Sequence, residues 1–219
     1  VQEVAHAIGT DSRIGSKFLK AGPGFGGSCF QKDILNLAYL CGYYGLHEVA
    51  SYWQSVVELN SWHQHRIARL IVRNLFGTVT GKRIGILGFA FKADTNDTRE
   101  SPAINICQDL LEEGANLAIF DPKVSNCQIA VELRQPSADF NWHSVSSPYE
   151  VAIQSDAIVI LTEWQMFADL DWRKMAQAMR KPAWVFDTRL IADSEKILTE
   201  GINLWRVGSP IESSIYSLR

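Results

Sequence analysis

The chain has 219 residues, 47% of them hydrophobic, which is ample for a sizeable core and fits one or two domains. A formal net charge of -3 gives no support to nucleic-acid binding, which usually needs a basic patch or stripe. The four cysteines lack CxxC or His–Cys ligand spacing, so neither zinc nor a disulfide framework is expected, and a reducing cytoplasm fits.

The chain opens on Val1 rather than methionine, already in helical rhythm, as a cut inside a larger protein would. There is no charged-then-apolar leader and no apolar run of about 18 residues, so no secretory signal or membrane span is expected. Residues 1–9 read as the end of a helix closed by Gly9, with Asp11-Ser12-Arg13 in a turn. Residues 14–31 form a loop whose last part, Gly22-Pro23-Gly24-Phe25-Gly26-Gly27-Ser28-Cys29, carries four glycines within six residues. Helical rhythm follows from about Lys32 to Tyr44, with Ile34, Leu37, Ala38 and Cys41 on one face. A second helix spans roughly 47–76, with Val49, Trp53, Val56, Asn60, His63, Ile67, Leu70, Ile71 and Leu75 as its stripe. At 1.5 Å per residue it would be about 45 Å long, suiting a connector or a dimer interface.

From Lys82 the texture changes to short β runs alternating with helices. Candidate strands are 83–87, 116–120, 157–161, 183–186 and 203–207, bounded by Gly, Asp, Pro or Asn. Candidate helices are 101–113, with Pro102 at the favoured first position, then 128–133, 149–154, 172–179 and 194–199. The expected fold class is therefore α/β: a long-helix dimerisation segment (1–81), then a doubly wound, mostly parallel Rossmann-like sheet (82–210) and a tail (211–219). Ligands bind beyond the carboxyl ends of such strands, where Gly88–Thr95, Asp121, Thr162-Glu163-Trp164 and Asp187-Thr188-Arg189 gather. Gly85-Ile-Leu-Gly88-Phe-Ala-Phe91 lacks the full GxGxxG fingerprint, so this sheet is a weak dinucleotide candidate.

The glycine loop delivers Cys29 to a helix start, where unpaired N–H groups and the positive dipole end favour a thiolate. Lys32 opposes that dipole, so helix stability does not explain it; beside a thiolate or an oxyanion it makes sense. The alternative is a glycine turn carrying a buried, inert cysteine.

The stretch Gly-Phe-Gly-Gly-Ser-Cys-Phe-Gln-Lys-Asp (24–33) resembles the catalytic loop of the UDP-glucose 6-dehydrogenases, within the nucleotide-sugar dehydrogenases. The resemblance extends through Phe-Leu-Lys-Ala-Gly-Pro-Gly (18–24), Gly-Phe-Ala-Phe-Lys-Ala-Asp-Thr (88–95), Asp-Thr-Arg-Glu-Ser (97–101), Phe-Asp-Pro-Lys (120–123), Thr-Glu-Trp (162–164) and Phe-Asp-Thr-Arg (186–189). It covers nearly the whole chain, from about Val1 to Gly208, and implies a two-step oxidation of UDP-glucose to UDP-glucuronate with NAD as cofactor. Cys29 would capture the aldehyde as a thiohemiacetal and then carry a thioester. Lys32 would stabilise the thiolate and developing oxyanions, and Asp33 would position or deprotonate the hydrolytic water. Read without the family, Asp33 is an ordinary helix-N-terminal acid.

For the substrate, the resemblance implies Lys20, Ala21, Gly22, Pro23, Gly24, Phe25 and Gly26 along the sugar nucleotide, with Phe91, Lys92 and Arg189 completing the site. Arg13 resembles an arginine inserted into a neighbouring subunit's site, which implies a homodimer. Cys29, Phe30, Gln31, Lys32 and Arg99 would face the cofactor. Without the family, Lys92 is a solvated loop lysine, Arg13 a turn arginine, and Arg99 a salt-bridge partner of Asp97 or Glu100. The family's NAD-binding domain precedes this region and has no counterpart in the sequence at hand, so the chain alone is expected to bind a UDP-sugar and dimerise without turnover. A non-catalytic sugar-nucleotide module, or a dehydrogenase of GDP-mannose or UDP-N-acetylmannosamine, stands as the alternative.

Overall fold

A computed structural model describes residues 1–137 and 141–209, so the tail expected at 211–219 lies outside the described residues. Helix α1 (Gln2–Gly9) precedes the loop, and α2 (Phe30–Tyr43) and α3 (His47–Asn74) then form a helical hairpin. Gly45, at φ 77, supplies the left-handed residue that the short connection needs. On α2 the buried positions are Ile34, Ala38 and Cys41, an i, i+4, i+7 stripe. Leu37, expected on that face, is instead exposed.

Helix α3 changes partner along its length. Its first half packs on α2, whereas Ile67, Ala68, Ile71 and Leu75 join the same buried cluster as the sheet. Ile67 and Ile71, read from sequence as part of one continuous stripe open to a partner, are thus fully covered within the chain. The apolar side chains that α3 leaves exposed are Val49, Tyr52, Leu59 and Trp62, and α2 adds Tyr39 and Tyr43.

The sheet comprises β1 (Arg83–Leu87), β2 (Asn116–Phe120), β3 (Trp142–Ser144), β4 (Ala157–Ile160), β5 (Trp184–Asp187) and β6 (Asn203–Arg206). The order is β3-β2-β1-β4-β5-β6, with every described pair parallel. Buried on both faces, these strands are near-continuous apolar runs, as parallel strands are. Ile84 and Ile86 of β1 face α3, α4 (Pro102–Glu112) and α5 (Asn126–Leu133). Leu87 faces the other layer with α6 (Gln165–Ala168), α7 (Trp172–Ala178) and α8 (Ser194–Thr199). The helix expected over 149–154 is only one 3-10 turn, Glu150–Ala152, followed by Gln154 at φ 55. The short elements β3 and α6 were not anticipated.

Candidate functional site

The glycine loop is clasped from two sides. From α3, the Asn60 side chain pairs with Phe25 as a neighbouring strand would: Oδ1 accepts from Phe25 N–H at 2.9 Å and Nδ2 donates to its carbonyl at 3.1 Å. Gln64 Nε2 reaches the same carbonyl at 3.4 Å, and His63 Nε2 lies 3.0 Å from the Gly22 carbonyl. Asn60 and Gln64 are buried, and a buried amide left unpaired would cost about 1–3 kcal/mol. The sequence showed these residues only as members or neighbours of a helical stripe; polar residues at core positions were the signal to follow. From the segment between β1 and α4, Arg99 C=O accepts from Gly27 N–H at 2.8 Å. The fit there excludes side chains: a Cβ on Gly26 would run into the Glu100 carbonyl, and one on Gly27 into the Phe91 ring.

Cys29 is exposed and forms the N-cap of α2, its Sγ 3.8 Å from Ser28 Oγ. A buried, inert cysteine is therefore not what stands at this position; that description fits Cys107, whose thiol burial pushes far up. Phe30, the next residue, sets its ring 5.4 Å from that of Phe25. Gln31 is half-buried. Lys32 and Asp33 are exposed and pair with each other, Nζ to Oδ1 at 3.7 Å.

Arg99 forks onto Asp97, with Nε–H and Nη2–H donating at 2.9 and 2.7 Å. That pairing raises the arginine and holds Asp97 below its ordinary value, and Cys29 adds a smaller influence on Arg99 of the same sign. Arg13 is paired in the same way with Asp11 across its own turn, and its side chain stays 87% exposed. The local pairing read for Arg99 without the family thus exists, and Arg13, read as a turn arginine, has a carboxylate partner of its own.

Arg189 is the most enclosed cation of the group. Its Nε–H donates to the Leu161 carbonyl at 2.7 Å and Nη2–H to the Phe91 carbonyl at 3.3 Å. Nη1 stands 3.2 Å from Glu163 Oε2, an ion pair by distance though not aligned as a hydrogen bond. Burial lowers the Arg189 pKa, partly offset by Glu163. Gly22 passes so close that a Cβ there would lie 3.2 Å from Nη1. Arg189, Glu163, Lys20 and Ala21 share a cleft of about 480 Å³ with residues of α1. Phe91 is half-buried under the loop, and Lys92 is exposed with Nζ 5.4 Å from the Phe91 ring centroid.

Other polar residues at the strand ends serve the protein itself. Asp121 accepts from the N–H groups of Phe89 and Ala90 at 2.7 and 3.0 Å, and from Trp164 Nε1–H at 3.2 Å. Asp187, fully buried, accepts from Arg189 and Ala192 N–H. The crevice between β1 and β4, where the strand order reverses, is filled: a Cβ on Gly88 would strike Thr162, whose hydroxyl donates to the Ala90 carbonyl at 2.6 Å. Helix α4 starts 15 residues after β1 ends, and its N-terminus is capped by Ser101 Oγ. The turn after β1 thus does not lead straight into an open helix N-terminus, the feature on which a dinucleotide pyrophosphate sits. Among the described residues no cluster of His, Cys, Asp or Glu could hold a metal ion, and no helix is long and apolar enough to cross a membrane.

Two family models match the chain: the UDP-glucose/GDP-mannose dehydrogenase family's central domain over residues 1–62 and its UDP binding domain over residues 85–194. The chain is 51% identical to the UDP-glucose 6-dehydrogenase of Drosophila melanogaster, across 95% of the chain and 45% of that protein. It is 50% identical to the Mus musculus UDP-glucose 6-dehydrogenase, across 97% and 45%. It thus spans about half the length of the curated relatives it matches. A solved UDP-glucose dehydrogenase from Pyrobaculum islandicum superposes with a TM-score of 0.72 at 29% identity, across 89% of the chain and 41% of that structure.

Proposed function

The chain belongs to the UDP-glucose/GDP-mannose dehydrogenase family, and from that premise we propose that it is the substrate-binding and covalent-catalytic part of a UDP-glucose 6-dehydrogenase, converting UDP-glucose to UDP-glucuronate. The observation that carries the reading is an exposed Cys29 at the N-cap of a 14-residue helix, on a glycine loop pressed against Phe91 and Arg189. NAD, when bound, would accept one hydride at each of the two oxidation steps, so that two equivalents are consumed. The Cys29 thiolate adds to the C6 aldehyde carbon, forming a C–S bond as the carbonyl electrons move to oxygen. At the thioester stage water attacks the same carbon, the C–S bond breaks, and its electron pair returns to sulfur. Lys32 stabilises the oxyanions on either side of the thioester, and Asp33 takes a proton from the attacking water. In the structure these two side chains pair with each other, so both roles require that exposed pair to open.

In this proposal Lys20 and the 21–26 main chain run along the diphosphate and sugar. Phe91 packs on them, and Lys92 and Arg189 supply charge. Arg99 and the stretch 29–32 face the cofactor. The filled β1–β4 crevice supports a second element of the reading: the chain binds UDP-glucose but reduces no NAD by itself, because the dinucleotide needs a site outside these residues. The exposed apolar face of α2 and α3 supports dimerisation across the helical hairpin, with Arg13 reaching a partner's site. Calorimetric titration of the chain with UDP-glucose and, separately, with NAD tests the proposal. Heat from UDP-glucose alone is the expected result, and binding of NAD without UDP-glucose would overturn it.

A further inference from the structure

Helix α3 places three polar side chains, Asn60, His63 and Gln64, at i, i+3 and i+4, on the face that elsewhere packs apolar residues such as Ile67 and Ile71. All three bond to main-chain groups of the glycine loop, 35 to 41 residues away in sequence. The chain of amides continues into the sheet layer, where Asn105 Nδ2 on α4 donates to Gln64 Oε1 at 2.5 Å. Donors and acceptors alternate consistently: Asn105 N–H to Gln64 C=O, Gln64 N–H to Phe25 C=O, and Asn60 satisfying both main-chain groups of Phe25. Beyond Phe25, the ring contact with Phe30 reaches the first residue of α2, next to Cys29.

We propose that Asn60, Gln64 and Asn105 are positioning residues: a side-chain amide relay that ties the Phe25 main chain to α3 and α4 and so fixes Cys29 at the start of α2. The relay rests on the functional reading above only for the significance it gives to Cys29. A loop with Gly22, Gly24, Gly26 and Gly27 has great conformational freedom. It needs an outside template to hold a thiol in one place, and side-chain amides matched to Phe25 N–H and C=O provide one.

The test uses the chain alone, without nucleotide sugar or cofactor. Amide hydrogen exchange is followed by peptide, and iodoacetamide alkylation of Cys29 is measured against Cys127, which is also exposed but lies on α5. In Asn60→Leu, exchange in 22–28 should accelerate about tenfold while α4 and β1 are unchanged, the mark of a local opening. The Cys29-to-Cys127 alkylation ratio should drop about threefold, because the Cys29 thiol loses the fixed, exposed place at the start of α2 that the relay gives it, whereas Cys127 on α5 is untouched. Asn60→Asp keeps the acceptor for Phe25 N–H but lacks the donor to its carbonyl, and should fall between. Faster loop exchange with an unchanged or raised ratio would make Asn60 a fold residue only and end the proposal, as would unchanged exchange. Should Asn60→Leu not fold, Gln64→Met, close in shape but unable to relay, is read by the same two measurements and the same limits. Neither readout involves UDP-glucose, so a failure of the chain to bind it would count against the functional reading and leave this result standing.

Discussion

Cys29 and Cys127 are both exposed, yet only Cys29 has a glycine loop leading to it and the N-terminus of a 14-residue helix following it. In a full-length enzyme containing this chain, Cys29→Ala is expected to cut UDP-glucuronate formation about a thousandfold or more, with UDP-glucose affinity largely kept. Cys29→Ser should accumulate an ester, because serine attacks but leaves poorly; mass spectrometry of the protein after one turnover checks it. Two glycines on either side of that thiol should respond oppositely to alanine. Gly26 abuts the Glu100 carbonyl, and backbone cannot give way as a side-chain tip can, so Gly26→Ala should cost about 1–3 kcal/mol or more. Gly42 lies inside α2 with nothing within 4 Å of an added Cβ, so Gly42→Ala should stabilise by about 0.5–1 kcal/mol. Urea unfolding of the two variants, run side by side, reads both signs.

At the scale of elements, what the sequence disclosed follows from burial. Strands 83–87 and 116–120 are apolar on both faces and bounded by turn residues, and they form where expected. Edge strand β3 has only Trp142-His143-Ser144, too short to show a period, and α6 is a single turn. The glycine loop and Cys29 were legible because their signal is local. Asn60 and Gln64 were not, because what satisfies them lies 35 and 39 residues away. The edge strand also carries a pH response. Arg83 Nη2–H reaches His143 Nε2 at 3.1 Å, a bond that requires the neutral imidazole. Partial burial first, and then the Arg83 charge, lower the His143 pKa; Arg180 and Asp156 complete the charged surroundings. A histidine depressed in the folded state binds more protons when unfolded, so its contribution to stability is present above about pH 6.5 and lost as pH falls through the folded pKa. The urea midpoint should therefore fall between pH 7 and pH 5, and less steeply in His143→Gln. A His143 ring titrating by NMR at or above the free value would contradict this.

At the scale of the whole molecule, the helical hairpin carries several of the large apolar side chains left exposed. Tyr39, Tyr43, Tyr52, Leu59 and Trp62 are all exposed, and large apolar side chains left open on a helix pair are where a partner would pack. Light scattering at high micromolar concentration should give twice the chain mass, and Tyr52→Asp with Leu59→Asp should give the single mass with weakened UDP-glucose affinity. Ile67→Asp is the control that separates assembly from folding, since Ile67 is enclosed by its own chain and its loss should unfold rather than dissociate.

A guanidinium carries five N–H donors in a rigid fork, and an ammonium has three on a single point. At Arg189 the fork is divided among neighbours: Nε–H is committed to the end of β4, one Nη2–H to the loop after β1, and Nη1 to the vicinity of Glu163. At most three N–H groups remain for any visitor, and the side chain cannot swing toward one without releasing two carbonyls. Arg189→Lys would keep the charge and lose the geometry, leaving at least one of those carbonyls without its donor, at about 1.5–3 kcal/mol for each charged hydrogen bond lost. The unfolding midpoint should fall even with no nucleotide sugar present, and exchange should quicken in the segment carrying Phe91. Recognition and cohesion would then be two uses of one cation, and a variant that weakens UDP-glucose binding at full stability would show that they are not.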